Sequence, residues 1–230
     1  MGLNGDTVHV WRVGLAAPPA TVRALEGILD DDERERMLRY GEPAPRRRYA
    51  VAHGAKRRIL AGYLGVAPGD VRWRRGRNGK PELCGGHRLP MNLSHAGDLA
   101  LIAVTASRDV GVDVEQPRDA GTVVRLADRY FPASEARLVR AAEPGERASC
   151  FARLWTRKEA CVKAVGGKLA HGLGLPVAAG DPPSLSVRDL PMPGRWIAAV
   201  ALRGAAPFTV VEHDWAVEAV MKHPRSTLRR

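Results

Sequence analysis

The period of the hydrophobic positions changes repeatedly along the chain, and each change marks a predicted element. Residues 8–13 alternate as a strand does, and the prolines within 16–20 read as a turn. Val22, Leu25, Ile28 and Leu29 then recur at helical spacing with Thr21 as cap, and the charged stretch 30–36 continues that helix to Met37 and Leu38. Residues 41–45 break it. A second helix is predicted over 46–64, carrying Tyr49, Ala52, His53, Lys56, Ile59, Leu60 and Tyr63 and stopped by Gly65. Residues 71–74 form a short strand and 77–80 a turn. Residues 91–95 and 99–105 flank Ala96-Gly97-Asp98 as a hairpin, and Val110–Glu115 supplies the next strand. Helices fit 122–130, 133–142 and 145–165, a glycine-rich loop fits 166–174, and strands fit 184–187, 196–202 and 208–214. The basic tail 222–230 is expected to fray.

The order strand, helices, short strand, hairpin fills 8–105 and returns over 110–214. No residue-by-residue repeat accompanies it. The pattern predicts an α+β fold built as a pseudo-twofold duplication of two similar α+β lobes, 1–108 and 109–230, with the active site in the cleft between them.

Composition narrows the class. At 230 residues and 45% hydrophobic, the chain can bury a substantial core. No apolar run approaches the ~18 residues of a membrane helix. Residues 1–6 have neither a basic start nor an apolar stretch, so no secretory signal is expected. Cys84, Cys150 and Cys161 form no close pair and read as reduced thiols in a cytoplasmic protein. The Asn92-Leu-Ser94 sequon carries no weight without secretion.

The net charge is +11, with 30 arginines to 6 lysines. Its distribution is more informative. Residues 46–80 hold eleven basic side chains against the single acid Asp70, and such a field attracts a nucleotide, a nucleic acid or an acidic protein.

Chemistry is concentrated in Val110-Gly-Val-Asp-Val-Glu115. Strand alternation puts Val110, Val112 and Val114 on one face and Asp113 and Glu115 on the other, the two carboxylates roughly 7 Å apart. An edge strand with a wet acidic face is one reading of that pattern. The other is a site for a hard divalent cation, since Mg²⁺ takes one or two carboxylates together with substrate phosphate. A third acid, Glu159, shares a helical stripe with Phe151, Trp155 and Val162 and has Lys163 one turn on. His95, at the hairpin, and Lys80, at a turn tip, are further candidates for contact with phosphate.

Arg48, Gly79-Lys80-Pro81, Asn92-Leu-Ser-His95, Gly111-Val-Asp-Val-Glu115, Arg129-Tyr-Phe-Pro-Ala-Ser-Glu135 and Trp155-Thr-Arg-Lys-Glu-Ala-Cys-Val-Lys163 stand in a distinctive order and spacing. Over about residues 46–175 the chain resembles the 4′-phosphopantetheinyl transferases, in particular the two-lobed subfamily that activates surfactin-type nonribosomal peptide synthetases. The resemblance implies transfer of the phosphopantetheine arm of coenzyme A to a serine of an acyl or peptidyl carrier protein domain. It implies Mg²⁺ held by Asp113, Glu115 and Glu159 against the coenzyme A diphosphate. Glu159 matches the base for the serine hydroxyl, and Lys163 the lysine that steadies phosphate charge. Lys80 and His95 match coenzyme A phosphate contacts, and Arg48 a contact near the adenosine 3′-phosphate. Arg36 matches a further basic contact, although Glu33 stands where some relatives carry lysine. Two lobes in one chain imply a monomer, because half-length members associate to form the same cleft.

The competing reading is a basic nucleic-acid-binding module, which leaves the acidic strand and Glu159 without a role and has few aromatic residues, 5%, for base stacking. No Walker loop, His-Glu-x-x-His or Gly-x-Ser-x-Gly supports another named phosphate-ester enzyme.

Overall fold

The computed structural model describes residues 3–76, 81–84, 88–167 and 172–216. In chain order the elements are β1 (Thr7–Gly14), α1 (Pro19–Glu26), α2 (Asp31–Leu38), α3 (Pro43–Leu64), β2 (Trp73–Arg75), β3 (Pro81–Leu83), β4 (Met91–Ala96) and β5 (Leu99–Thr105). There follow β6 (Val110–Glu115), α4 (Ala120–Tyr130), α5 (Ala133–Ala141), α6 (Arg147–Val165), β7 (Leu185–Leu190), β8 (Ile197–Arg203) and β9 (Thr209–Trp215). The fold is α+β.

One sheet runs β4-β5-β1-β9, another β6-β8-β7, and β2-β3 form a small ribbon. The connections repeat between the larger sheets. Each begins with a strand, leaves for helices, and returns as a hairpin whose second strand lies antiparallel to the first, β5 on β1 and β8 on β6. The last strand then departs from that plan: β9 runs parallel to β1, pairing Thr7 with Thr209 and Val13 with Trp215. The second half of the chain therefore contributes to both sheets.

Sequence alternation explains how these layers stack. Val8 and Val10 of β1 share a core with Leu101 of β5, Val110, Val112 and Val114 of β6 and Val200 and Leu202 of β8, so the sheets pack face to face. The opposite face of the first sheet meets α1 and α3 through Val13, Leu25, Leu60 and Ile102. That of the second meets α4, α5 and α6 through Val123, Phe131, Val139, Phe151 and Ala199. The acidic strand is the edge strand of its sheet, but it is covered on both faces, with Asp113 only 3% exposed. The wet acidic face is excluded.

Several expectations need correction. The single helix expected from Thr21 is two helices. Thr21 lies buried inside α1 rather than capping it, and Asp30 starts α2 by accepting a hydrogen bond from the Glu33 amide at 2.9 Å. The stretch 41–45 breaks the chain only at 41–42, because Pro43 and Pro45 occupy the first turn of α3, where a proline costs no hydrogen bond. Gly65 ends α3 as expected, in the left-handed conformation (φ 68°). The strand β3 was not anticipated, and the turn at 77–80, residues 168–171 of the expected glycine-rich loop and the tail 222–230 lie outside the described residues. No helix among the described residues is long and apolar enough to cross a membrane.

Two buried ion networks hold the helices. Glu33 of α2 accepts from Lys56 Nζ at 2.8 Å and Arg57 Nε at 2.5 Å, with His53 Nδ1 at 3.1 Å. Arg57 also donates to Asp30 and, at 2.9 Å, to the Val71 carbonyl, while Lys56 sits 4.3 Å from the centre of the Trp73 ring. Two cations of the 46–80 cluster are therefore interior, so the surface field is weaker than the sequence implies. In the second network, fully buried Lys158 of α6 pairs with Glu135 of α5 at 2.5 Å and donates to the Leu175 carbonyl. Glu135 in turn accepts from the amides of Val177 (2.6 Å) and Ala178 (2.9 Å), which fastens the segment after α6.

Burial works to raise the Glu33 pKa, but His53, Lys56 and Arg57 outweigh it and hold the carboxyl well below the usual range. An acid depressed in the folded state stabilises above its unfolded value of about 4.3, and that contribution fades as pH falls through the folded value. Glu33→Gln leaves buried Lys56 without its carboxylate and Arg57 with Asp30 as its remaining acid, and is expected to cost about 3 kcal/mol at neutral pH. Urea denaturation from pH 7 downward should show the gap between native and variant closing with acidification. A pH-independent gap would reject the assignment.

Candidate functional site

The site forms where the two sheets meet along β4 and β6 and where α6 covers β6. Position 111 sets the approach. Gly111 lies on the same face of β6 as Asp113 and Glu115, and a Cβ there would drive into the Ala160 carbonyl oxygen and the Ala164 amide nitrogen of α6. Without that side chain, helix and strand backbones touch, and Glu159 and Lys163 are brought over the acids of β6. On the other side, Asn92 Oδ1 of β4 accepts from the Val112 amide at 3.0 Å, filling a bond that the edge of β6 would lack.

Asp113 Oδ1 accepts from Ser94 Oγ at 2.8 Å and from Lys163 Nζ at 2.5 Å. Lys163 also donates to Ser94 Oγ at 3.2 Å and lies 3.8 Å from Glu159 Oε2. The other oxygen of Asp113, Oδ2, is buried with no hydrogen-bond partner. Glu115, half-buried at the end of β6, meets Arg118 at 3.4 Å, and the Arg118 guanidinium lies 5.6 Å from the Trp155 ring centre. Trp155 stacks on Phe151, which stacks on Phe131, so the apolar part of the α6 stripe anchors the helix in its own layer.

The three acids share an electrostatic environment. Burial raises the pKa of each above its ordinary value. The charge of Asp113 adds to the rise at Glu115, and those of Asp113 and Glu115 add to it at Glu159, while Lys163 opposes all three shifts. Acids that repel one another across a partly dry space are suited to a group of opposite charge. Among the described residues, however, no three acid, histidine or cysteine side chains stand arranged as a finished metal site.

Basic groups continue the site over the other face of β4. His95 alternates with Ser94 and turns towards α3. Its pKa is lowered first by partial burial and then by the charges of Lys163 and Arg48, both of which it feels. Arg48 of α3 is held by Asp98 at the hairpin turn, Nε to Oδ1 2.7 Å.

Residues 109–210 match the 4′-phosphopantetheinyl transferase superfamily. The 4′-phosphopantetheinyl transferase HetI of Nostoc sp. is 36% identical over 215 residues, covering 88% of this chain and 90% of its own. The chain belongs to the 4′-phosphopantetheinyl transferases. It is also similar to the transferase AcpT of Salmonella typhimurium, 38% identical over 92 residues (40% of this chain and 48% of that one). A 4′-phosphopantetheinyl transferase of Bacillus subtilis is 27% identical over 146 residues, 64% and 62% of the respective chains. The protein is accordingly an enzyme that transfers the phosphopantetheine group.

Of the residues singled out in the transferase sequence, the fold gathers Asp113, Glu115, Glu159 and Lys163 into one group, with His95 and Arg48 adjoining. Arg36 lies on the exposed side of α2, and its charge is felt at Tyr49 of α3, next to Arg48. Glu33 is a buried structural acid. Lys80 lies outside the described residues. Sequence reasoning missed Asn92 and Ser94 as site residues, although their period-two spacing in a strand puts both on the face opposite His95. It also missed Arg118, for which no local signal exists.

A carboxyl group whose pKa is raised by folding stabilises the protein more as pH falls, and its charge opposes folding at neutral pH. Glu159→Gln is therefore expected to make the ligand-free transferase more stable at pH 7, by on the order of 1 kcal/mol. The gain should shrink on acidification, as the native carboxyl takes up its proton. Denaturant melts at pH 7 and pH 5 measure it, and a destabilised variant at pH 7 would contradict this account.

Proposed function

We propose that this chain moves the 4′-phosphopantetheine arm of coenzyme A onto a serine hydroxyl of an acyl or peptidyl carrier domain. The bond formed joins the serine oxygen to the phosphopantetheine phosphorus, the bond broken joins that phosphorus to 3′,5′-ADP, and the serine proton passes to the protein. The observation that carries this reading is the convergence of Asp113, Glu115 and Glu159, mutually repelling, on a space that also holds Lys163 and the unpartnered Asp113 Oδ2.

The donor set is hard oxygen, which suits Mg²⁺. Asp113, Glu115 and Glu159 would hold it, and when bound it would neutralise diphosphate charge. Lys163 supplies a second positive group for the charge that collects on the departing 3′,5′-ADP. Glu159, its pKa raised by burial and by its acidic neighbours, is the member best matched to accept the serine proton near neutral pH. Arg48 is assigned to the adenosine 3′-phosphate and His95 to a coenzyme A phosphate. Lys80 and Arg36 are assigned to further phosphate contacts by the family pattern alone.

The same reading places the chain in the two-lobed subfamily that serves nonribosomal peptide synthetases, as a cytoplasmic monomer. A relative covering most of the chain, the repeated order of connections in the two sheets and three free cysteines all favour it. The nucleic-acid reading loses ground because Lys56 and Arg57 are buried in ion pairs and Arg74 is paired with Glu82.

Incubation with coenzyme A, Mg²⁺ and a panel of apo carrier domains is expected to add the mass of one phosphopantetheine arm to at least one carrier. Asp113→Asn and Glu159→Gln should each lower kcat/KM by at least about 10²-fold with the fold intact. Arg48→Ala should raise the KM for coenzyme A and leave kcat little changed. Near-native turnover in either acid variant would reject the site assignment.

A further inference from the structure

The chain itself supplies much of the positive charge that faces the three acids. Lys163 sits on Asp113 at 2.5 Å, Arg118 sits on Glu115 at 3.4 Å, and Glu159 feels both cations. Ser94 completes the hold, donating to Asp113 Oδ1 and accepting from Lys163. Two protein cations therefore balance most of the charge of three acids, and the oxygen left over is the buried Asp113 Oδ2.

From this arrangement we infer that Lys163 is a resident counter-ion that a divalent cation must dislodge, and that it yields readily only when coenzyme A brings a diphosphate to receive it. The inference rests on the reading that the three acids hold the cation. A dication arriving alone has to pull Asp113 away from an ammonium at contact distance and brings no anion to replace it. Separating such a half-buried pair without compensation is costly. A dication arriving with the diphosphate meets a different balance, because phosphate oxygens offer Lys163 a partner as Asp113 is given up. Metal and coenzyme A then bind cooperatively, each raising the affinity for the other by the same factor. Arg118 is the poorer candidate for this role: its pair with Glu115 is longer and lies nearer solvent, where an ion pair is worth little.

Phosphate oxygens bind the metal directly as well, so cooperativity in the native chain does not single out the lysine. Metal binding without coenzyme A does. Mn²⁺ alone is titrated into the native chain, Lys163→Met, Lys163→Arg and Asp113→Asn, with free Mn²⁺ read by electron paramagnetic resonance. The titrations are repeated with coenzyme A present, and circular dichroism checks folding. In the absence of coenzyme A, Lys163→Met is expected to bind one Mn²⁺ at least about tenfold more tightly than the native chain, with Lys163→Arg close to native. Should Lys163→Met fail to fold, Ser94→Ala, which only loosens the lysine, serves instead with an expected gain of about threefold. Equal affinity in the variant and the native chain, while the coenzyme-loaded native chain still takes up Mn²⁺ dependent on Asp113, overturns the counter-ion role and leaves the metal assignment standing. If Asp113→Asn matches native under every condition, both fall.

Discussion

Helix α6 can lie against β6 only because position 111 carries no side chain, and the placing of Glu159 and Lys163 over the acids of β6 follows from that contact. A backbone-to-backbone approach is a stricter constraint than side-chain packing, since neither partner can rotate away. It fixes which turn of α6 covers which residue of the strand. Residues two and four places along β6 are the acids, and residues of the same helical turns are Glu159 and Lys163. The Asn92 bond to the Val112 amide secures the other edge, so β6 is held between a helix and a foreign strand.

Buried charge is used in two distinct ways. The Glu33 and Glu135 networks are paired: Glu33 meets Lys56, Arg57 and His53 and is driven to greater acidity despite burial, and Glu135 meets Lys158 and two backbone amides. The cluster around Asp113 is different. Its acids repel one another, burial raises their pKa values, and one oxygen has no partner. Networks of the first kind fasten helices to one another. The second kind stores unfavourable electrostatics that a group of opposite charge can relieve.

Local pattern made much of this legible. Alternation in Val110–Glu115 correctly set the acids against the valines, and the i, i+4 spacing put Lys163 beside Glu159. Helices α3 to α6 followed from hydrophobic recurrence. What escaped depended on partners distant in sequence. Asp30 caps the start of α2 and is also held by Arg57, 27 residues away. The basic run over 46–80 looked like a continuous surface field because nothing local reveals that Glu33 draws Lys56 and Arg57 inward. The strand β9 alternates like any other, and its sequence does not say that it will cross to pair with β1. Ser94 was in view as part of a motif, yet its role depends on a strand nineteen residues later.

The central claim is that two carboxylates of a strand and one of a helix serve a single cation beside the coenzyme A diphosphate. The most direct measurement is a crystal structure of the chain with coenzyme A and Mn²⁺, the metal located by its anomalous scattering. The account predicts one peak within about 2.2 Å of carboxylate oxygens from Asp113, Glu115 and Glu159, with diphosphate oxygens completing the shell. A metal held elsewhere, or a diphosphate bound away from these three residues, would contradict it.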